Sequence, residues 1–598
     1  MNMTNFYSVR PLTAHALSAA VGSGKTRAAV AHMANPANAR RNYIYVAPTI
    51  ELGAQTTESL RVALGKAVGP VVRNVHLINS STVEGKARVE ALRSINEVYG
   101  EDGCVHVLTT QTFLDILSGI TRPELWSVIL DEAFSPATFD TFPLGKDVRK
   151  DWEYFSEVLT VDHEQGHRIL PRAGMKDTVG ALADGRFSVA GGRLAGLQGI
   201  ARAVSNPAAR CELVVTPRVA ALINGEPLPP KRGKKAGTEE TTSVLEYASY
   251  IDPGYFQGFR EVLFLSALFE QTVLYHLWTK ALGVTFKRHP DFPSEMLRDT
   301  HGEQSRFLAV GHLLHREDSS SKDSLSRNLL TGKTGEKVQG QRVLDHLVRT
   351  AAGHFGEQQF LLQTNVGTGY EEGKALVPTK AIPIPMFAHG LNKWQHVDNV
   401  VALGVTNPNP QQLTWVKERT GLSSKAVTQA FRIHTIYQAL GRCAIRNIDQ
   451  TTSSKTVLTA GADDAKFLYQ LFAGSLWLGQ VGHTPCIRAT EAAVARKEDG
   501  KTVGLSKAIL GHLGGLPLEV NQISSRGLRG EMTNPAKVTL EHKVQIAGFE
   551  GVSDRTWASA VYLACSSGSG WKRGGQSLVR TTAADYGFQA VLEEAVVA

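Results

Sequence analysis

The sequence predicts an α/β protein of two tandem parallel-sheet lobes, with an insertion in the first lobe and an accessory domain after the second. Three observations carry this. Over the first 135 residues short apolar runs alternate with helical patterns. After Phe134 that rhythm stops, to return near residue 258. A second series of strand–helix units opens near Val343. Strands that alternate with helices need crossover connections, and crossovers make a parallel sheet.

In the first series ALSAAV, NYIYVAP, CVHVLTT and WSVILDE read as strands, because each is a short apolar run between helical patterns. TRAAVAHMA and TTESLRVALG between them read as helices. Residues 1–135 are therefore the first lobe. Residues 136–257 mix charged helices with Gly- and Pro-rich stretches and end in PLPPKRGKKAGTEETTS, an insertion with a flexible basic loop. The segment 258–339 completes the first lobe with REVLFLSALFEQTVLYHLWTKALG and then becomes a linker at HREDSSSKDSLSRN. VLDHLVRTAAGHF, QQFLLQTN, NVVALGV, TIYQALGR and KTVLTAG place the second lobe at 340–475. Residues 476–598, with LSKAILGHLGG and SSGSGWKRGG, are separate in character.

The bulk numbers agree with a large globular protein. At about 150 residues per domain the 598-residue chain allows roughly four domains. It is 42% hydrophobic and 20% charged, and its net charge of +8 tilts slightly toward an acidic partner. Five scattered cysteines with no CxxC pair suggest neither a zinc site nor a disulfide framework, and a reducing interior is expected. The N-terminal residues do not read as a signal peptide, and there is no run of 18 apolar residues. A cytoplasmic protein with no membrane partner is expected.

AAVGSGKT, Ala19 to Thr26, lies between a strand-like and a helix-like segment. That is the context of a phosphate-binding loop, in which backbone N–H groups and a helix N-terminus cradle phosphates. Gly22, Ser23, Gly24, Lys25 and Thr26 would bind the nucleotide, with Lys25 on the β- and γ-phosphates and the Thr26 hydroxyl on Mg²⁺. ARKEDGKT at 495–502 matches the spacing but has charged flanks and no strand before it, and GKT at 332–334 lacks the first small residue. SVILDEAF then delivers Asp131 and Glu132 at a strand end about 105 residues later. Asp131 can hold Mg²⁺, and Glu132 can polarise an attacking water.

HTIYQALGRCAIRN, His434 to Asn447, carries Arg442 and Arg446 beside Gln438. Either it is a solvated basic helix, or the arginines reach a phosphate across a cleft. An arginine finger is worth about 10³ to 10⁵ in rate, roughly 4 to 7 kcal/mol of barrier. Gln438, one turn before Arg442, would face the same cleft.

Together these residues resemble a superfamily 2 nucleic-acid helicase or translocase of the DEAD-like (DEAx-box) group, nearest its phage- and virus-type branches. AAVGSGKT resembles motif I and VAPTIELGAQ motif Ia; LTTQTFL is similar to motif Ib and LDEAF to the DEAx box. FLSALFE, with Ser266 and Ala267 in the coupling positions, has Leu268 where the family has Thr. FLLQTN resembles motif IV, FAHGLNKWQHVDNVVALG motif V and YQALGRCAIR motif VI. The resemblance spans about residues 12–135, 258–285 and 340–475.

It implies two RecA-like lobes, ATP and Mg²⁺ as cofactors, and Lys25, Asp131, Glu132, Gln438, Arg442 and Arg446 as the catalytic set. Motif VI is commonly QxxGRxxR; here Arg446 comes one residue later, so Arg442 is the safer finger. No adenine-reading Gln is evident in the roughly 18 residues before the P-loop, so poor base selectivity is expected.

A nucleic-acid strand would lie across both lobes on Thr49, Thr110, Gln111, Thr364 and His389, through hydroxyls, amides and helix N-termini that bind phosphates. Each of these is nearly as well read as a turn or cap residue. Lys231, Arg232, Lys234 and Lys235 in the basic loop, and Trp571, Lys572 and Arg573, would assist; ordinary surface loops are the alternative. VSDRTWASAVYLA suggests a helix of a small nucleic-acid-binding domain.

The leading expectation is an ATP-driven helicase, with DNA favoured over RNA, in phage or plasmid replication or recombination in a bacterial host cytoplasm, with replication proteins as further partners. A duplex translocase that does not unwind, and an ATP-gated clamp, share the motifs. A packaging ATPase with a nuclease domain would not need QALGR.

Overall fold

The computed structural model describes residues 12–66, 73–83, 86–144, 147–164, 166–185, 194–227, 243–292, 297–315, 318, 320–326, 342–386, 394–447, 453–482 and 484, with three short strands beyond residue 521. Two compact units make up the chain, Met1–Arg327 with Val343–Thr484, and Asn328–Arg342 with Pro485–Ala598.

In the first unit the chain opens with β1 (Thr13–Ser18), β2 (Asn42–Ala47), β3 (Val75–Ile78), β4 (Val105–Thr109) and β5 (Trp126–Asp131). Strands β2 and β5 are buried at every position. They read as largely apolar runs because a parallel sheet is covered on both faces. Strand β1 lies three residues ahead of the expected ALSAAV, and Ala19 to Gly24 instead form the loop that follows it.

Five further strands follow before the sheet resumes: β6 (Ala137–Leu144), β7 (Leu159–Asp162), β8 (Arg168–Pro171), β9 (Ala209–Leu213) and β10 (Ser243–Ile251). They form an antiparallel sheet in the order β6-β10-β9-β8-β7. Phe142, Phe155, Ile169, Leu182, Ile200 and Leu245 belong to its own core. The expected mixture of helices and Gly/Pro stretches here is thus a sheet with helices packed on it. Its strands escape sequence reading because several are only four or five residues long and polar residues alternate along them, as in SVLEYASYI.

β11 (Glu261–Ser266) and β12 (Thr285–Lys287) complete the first sheet, whose order is β12-β1-β11-β5-β2-β4-β3 with every pair parallel. Strand β11 therefore sits between β1 and β5, with Ser18 opposite Ser266 and Asp131 opposite Leu265. Three strands end side by side, and the loops that leave them share one edge of the sheet.

The second sheet contains β13 (Leu308–His312), β14 (Phe360–Gln363), β15 (Ala381–Ile384), β16 (Asn399–Ala402), β17 (Lys455–Thr459) and β18 (Leu476–Gln480), all parallel, in the order β15-β14-β16-β17-β13-β18. It draws in two strands from outside the 340–475 span expected for it. β13 lies in the stretch expected to end the first lobe and link onward, and β18 lies past the expected end. Both are short, and their place is set by pairing with each other and with β17, which no local pattern announces.

The two lobes touch. Val21 and Ala267 of the first share a hydrophobic cluster with Tyr437 and Leu440 of the second. The helix Pro410–Thr420 packs on the insertion, with Trp415 against Phe139 and Tyr250. There Glu212, 3% exposed, pairs with Arg419 and accepts from the Tyr250 hydroxyl at 2.6 Å. No helix among the described residues is long and apolar enough to cross a membrane.

In the second unit, Gln522–Ser524, Ser577–Arg580 and Trp571–Gly574 form a three-stranded antiparallel sheet. Trp571, Lys572 and Arg573 thus lie in a strand, although their side chains are outside the described residues. The basic loop Lys231, Arg232, Lys234 and Lys235, the segment VSDRTWASAVYLA and LSKAILGHLGG are also outside them.

Arg419→Ala removes the ion-pair partner of the buried Glu212 and should cost about 3 kcal/mol at neutral pH. Burial already raises the Glu212 pKa against the opposing pull of Arg419, and the substitution raises it further. A carboxylate with a raised folded pKa costs stability above that pKa, so the deficit should shrink as pH falls toward the ordinary carboxylate range. Thermal melts of both proteins from neutral to mildly acidic pH test this; a deficit independent of pH would contradict it.

Candidate functional site

The edge where β1, β11 and β5 end carries the loop Ala19–Gly24. Gly22 and Gly24 have φ of 74° and 93°, left-handed values that cost a glycine little. Gly24 caps the helix Lys25–Ala34 with no side-chain hydrogen bond, and the first turn holds no acidic residue. Its N–H groups and the positive end of its dipole are thereby open to an anion. Lys25 is buried, and its Nζ donates to the carbonyls of Ala19 at 3.0 Å and Ala20 at 2.9 Å. Ser23 is buried as well, and its carbonyl accepts from the Arg298 N–H at 3.0 Å.

The Thr26 hydroxyl donates to Asp131 Oδ2 at 2.9 Å, and the Tyr45 hydroxyl donates to the same oxygen. Burial, then the charge of Glu132, pushes the Asp131 carboxyl up to about 6. A hydroxyl and a carboxylate meeting at the head of the loop form an oxygen set that suits Mg²⁺ beside a phosphate. Glu132 has φ 94°, a left-handed conformation unusual for a residue with a side chain, worth roughly 1 to 3 kcal/mol of strain. Its N–H is held by the Leu265 carbonyl at 2.7 Å. The Ser266 hydroxyl donates to Glu132 Oε2 at 3.3 Å, and His434 Nε2 lies 3.6 Å from that oxygen. Ala267 is buried between the lobes.

The second lobe supplies the opposite wall through the helix Ser424–Leu440 and the turn after it. Neither Gln438 nor Arg442 faces solvent; they are 1% and 5% exposed. Arg442 donates to Gln438 Oε1 at 2.9 Å. Arg446 packs on Gly22, where a Cβ would meet it at 3.2 Å. The Tyr437 hydroxyl accepts the Val21 N–H at 3.0 Å. One cleft of about 770 Å³ is lined by Gly22, Lys25, Asp131, Glu132, Arg442 and Arg446, together with Thr26 and Gln438. That volume suits a nucleotide-sized ligand. Burial lowers the pKa of Lys25, and brings Arg442 down to about 10. A bound polyphosphate would favour the charged form of both.

The residues expected on a nucleic-acid track are partnered locally. Thr49 caps the helix Ile50–Gly65 by accepting from Leu52 N–H, and Thr110 donates to the Ala47 carbonyl at 3.3 Å. Gln111 donates to Asp115, and the Thr368 hydroxyl donates to that of Thr364. Thr110 lines a cleft of about 460 Å³ shared with Thr406 and Thr435 of the second lobe. Gln111 faces the insertion across a groove of about 1170 Å³ with Lys86, Arg88 and Arg202. His389 lies outside the described residues.

Sequence reasoning passed over Tyr45, Arg298, His434 and Tyr437. Two of them left a signal, since His434 is one helical turn before Gln438 and Tyr437 is its neighbour. Tyr45 and Arg298 arrive by tertiary contact alone.

Residues 8–134 match the model of the DEAD/DEAH box helicase family. This stretch is accordingly a DEAD/DEAH box helicase domain, the module of an ATP-hydrolysing family. Similar solved structures include Dbp5 of S. cerevisiae bound to RNA and ADP BeF3, at 12% identity and a TM-score of 0.33, over 82% of this chain and 90% of that one. The DEAD-box helicase Mss116 bound to ssRNA and UDP-BeF is also similar, at 12% identity and a TM-score of 0.25, over 85% and 78%. A comparison with curated proteins finds no match.

Glu132→Gln keeps the size and backbone of the residue but removes the carboxylate. Hydrolysis should fall by about 10² to 10⁴ while nucleotide binding is retained, as for loss of a general base. Single-turnover hydrolysis beside fluorescent-nucleotide binding tests this, and loss of both together would count against it.

Proposed function

We propose that the chain is an ATP-dependent helicase that moves along a nucleic-acid strand and separates duplexes. The observation that supports this best is the joining, in one cleft, of a phosphate loop and carboxylate pair from one lobe with Gln438, Arg442 and Arg446 from the other. A site split between two lobes makes the state of the nucleotide govern how tightly they close.

In this reading Gly22 to Thr26 hold the phosphates through backbone N–H groups, and Lys25 leaves its loop carbonyls for the β- and γ-oxygens. Thr26 and Asp131 would hold Mg²⁺, which supplies charge neutralisation when bound. Glu132, steadied by Ser266, would take the proton of the attacking water. Arg442 would face the charge that develops on the transferred phosphoryl group, and Arg446, against Gly22, would hold the loop. Ser266 and Ala267 would couple these events to the strand, gripped by Thr49, Thr110, Gln111, Thr364 and His389. The track is taken as DNA, in replication or recombination of a phage or plasmid, with replication proteins as partners in the host cytoplasm.

The test is ATP hydrolysis by the wild-type protein and Lys25→Ala, each alone and with single-stranded DNA, duplex DNA or RNA, followed by strand separation on the active polymer. Turnover should rise severalfold with single-stranded DNA, vanish in Lys25→Ala, and lose its stimulation as salt releases the phosphate contacts. Stimulation by RNA alone would overturn DNA as the track. Turnover on duplex without separation would make the chain a translocase, and turnover indifferent to every polymer would leave an ATP-gated clamp.

A further inference from the structure

The first lobe carries a second group of ligand-type side chains, at the other end of the helix that begins on the P-loop. His32 is in the last turn of the helix Lys25–Ala34. His289 and Asp291 come just after β12. One ligand atom from each of the three lies within 4.8 Å of the other two. His32 and His289 are buried, at 8% and 3% exposure, while Asp291 opens to solvent.

The two rings are aimed by their outer nitrogens. Glu261 sits against His289 Nε2, and a carboxylate only accepts, so that nitrogen carries the proton and Nδ1 the lone pair. His289 Nδ1 accordingly accepts the Asp291 N–H at 3.0 Å. The Tyr43 hydroxyl lies 3.1 Å from His32 Nε2, at the far side of that ring. His32 Nδ1 meets the Asn38 amide nitrogen at 3.4 Å and Asp291 Oδ2 at 3.7 Å. An amide nitrogen only donates, so this Nδ1 presents its lone pair too. The rings stand 5.5 Å apart at an interplanar angle of 80°. Two imidazole nitrogens and one carboxylate therefore lie within reach of one ion, which on binding would take the lone pairs now turned to the Asn38 amide and the Asp291 N–H. Each ring is held from behind by an oxygen group.

We propose that His32, His289 and Asp291 bind a divalent transition-metal ion of the Zn²⁺ type through the two Nδ1 atoms and one carboxylate oxygen, with a water in the fourth position. Two neutral imidazoles and a carboxylate make a nitrogen and oxygen set that suits tetrahedral zinc. Glu261 and Tyr43 then serve as the outer partners that fix ring orientation. The solvent-facing Asp291 gives the ion its way in. The bound ion would tie the far end of the P-loop helix to the stretch that leads on to Arg298, whose N–H donates to Ser23. It would brace the phosphate loop from behind without touching the nucleotide. The proposal rests on geometry remote from the nucleotide cleft and stands or falls apart from the helicase reading.

The experiment uses the full chain, stripped with chelator and free of nucleotide, titrated with Zn²⁺ alone by calorimetry and with Co²⁺ alone by visible absorption. Wild type should show a saturable equivalent with the absorption of tetrahedral Co²⁺, and Zn²⁺ should raise its melting temperature by mass action. Asp291→Asn, at a half-exposed carboxylate that leaves the fold alone, should bind at least about 10-fold more weakly and lose the Co²⁺ signature. His289→Gln, which keeps a polar group toward Glu261, should lose the same equivalent. Equal stoichiometry and affinity in wild type and Asp291→Asn, or no saturable binding at all, overturns the proposal and leaves the group as an ion-pair network.

Discussion

The hydrogen bond from the Val21 N–H to the Tyr437 hydroxyl holds the cleft together. It joins the middle of the phosphate loop to the last turn of a helix from the other lobe. Burial keeps Tyr437 a neutral phenol, so its oxygen stays an acceptor. Gly441, just beyond that helix, faces Val21 so closely that a Cβ there would meet the valine side chain at 2.8 Å. A side chain at that position would wedge the lobes apart, and Gln438, Arg442 and Arg446 would move with their lobe.

Charge is the second constraint. Lys25, Arg442 and Arg446 crowd against Asp131 and Glu132 where water is scarce, and burial shifts four of these groups toward their neutral forms. Desolvation of several charged groups of both signs around one open cleft sets this group apart from a surface salt bridge. Structural ion pairs in the same molecule are arranged differently. Arg419 and Glu212 neutralise one another locally, and Tyr250 completes the carboxylate's hydrogen bonding.

The two parallel sheets were legible because their central strands are largely apolar, as NYIYVA and WSVILD are, and because Gly22, Gly24 and Lys25 follow β1 at the spacing of a phosphate loop. That the residues of the candidate cleft share one place was legible for a related reason, since they sit at strand ends and on one helix face. What stayed hidden depends on contacts distant in sequence. β13 and β18 are placed by pairing, the insertion's strands are short and half polar, and Tyr45 reaches Asp131 across 86 residues. The proposed strand contacts are poorly legible for another reason. A threonine that caps a helix and one that grips a phosphate use the same hydroxyl at the same helix N-terminus, as Thr49 illustrates.

The insertion leaves the first lobe after β5 and rejoins it at β11, yet its buried carboxylate is neutralised from the second lobe. By covalent connection it belongs to one body, and by electrostatics to the other. Any rotation that parts the lobes must then either strip Arg419 from Glu212 or carry the insertion along, bending the chain near Pro136 and Pro253. The first path is resisted by desolvation and the second by the stiffness of two proline-bearing junctions. A segment that looks like an appendage in the sequence therefore acts as a cross-tie, and its two junctions set how far the lobes can part.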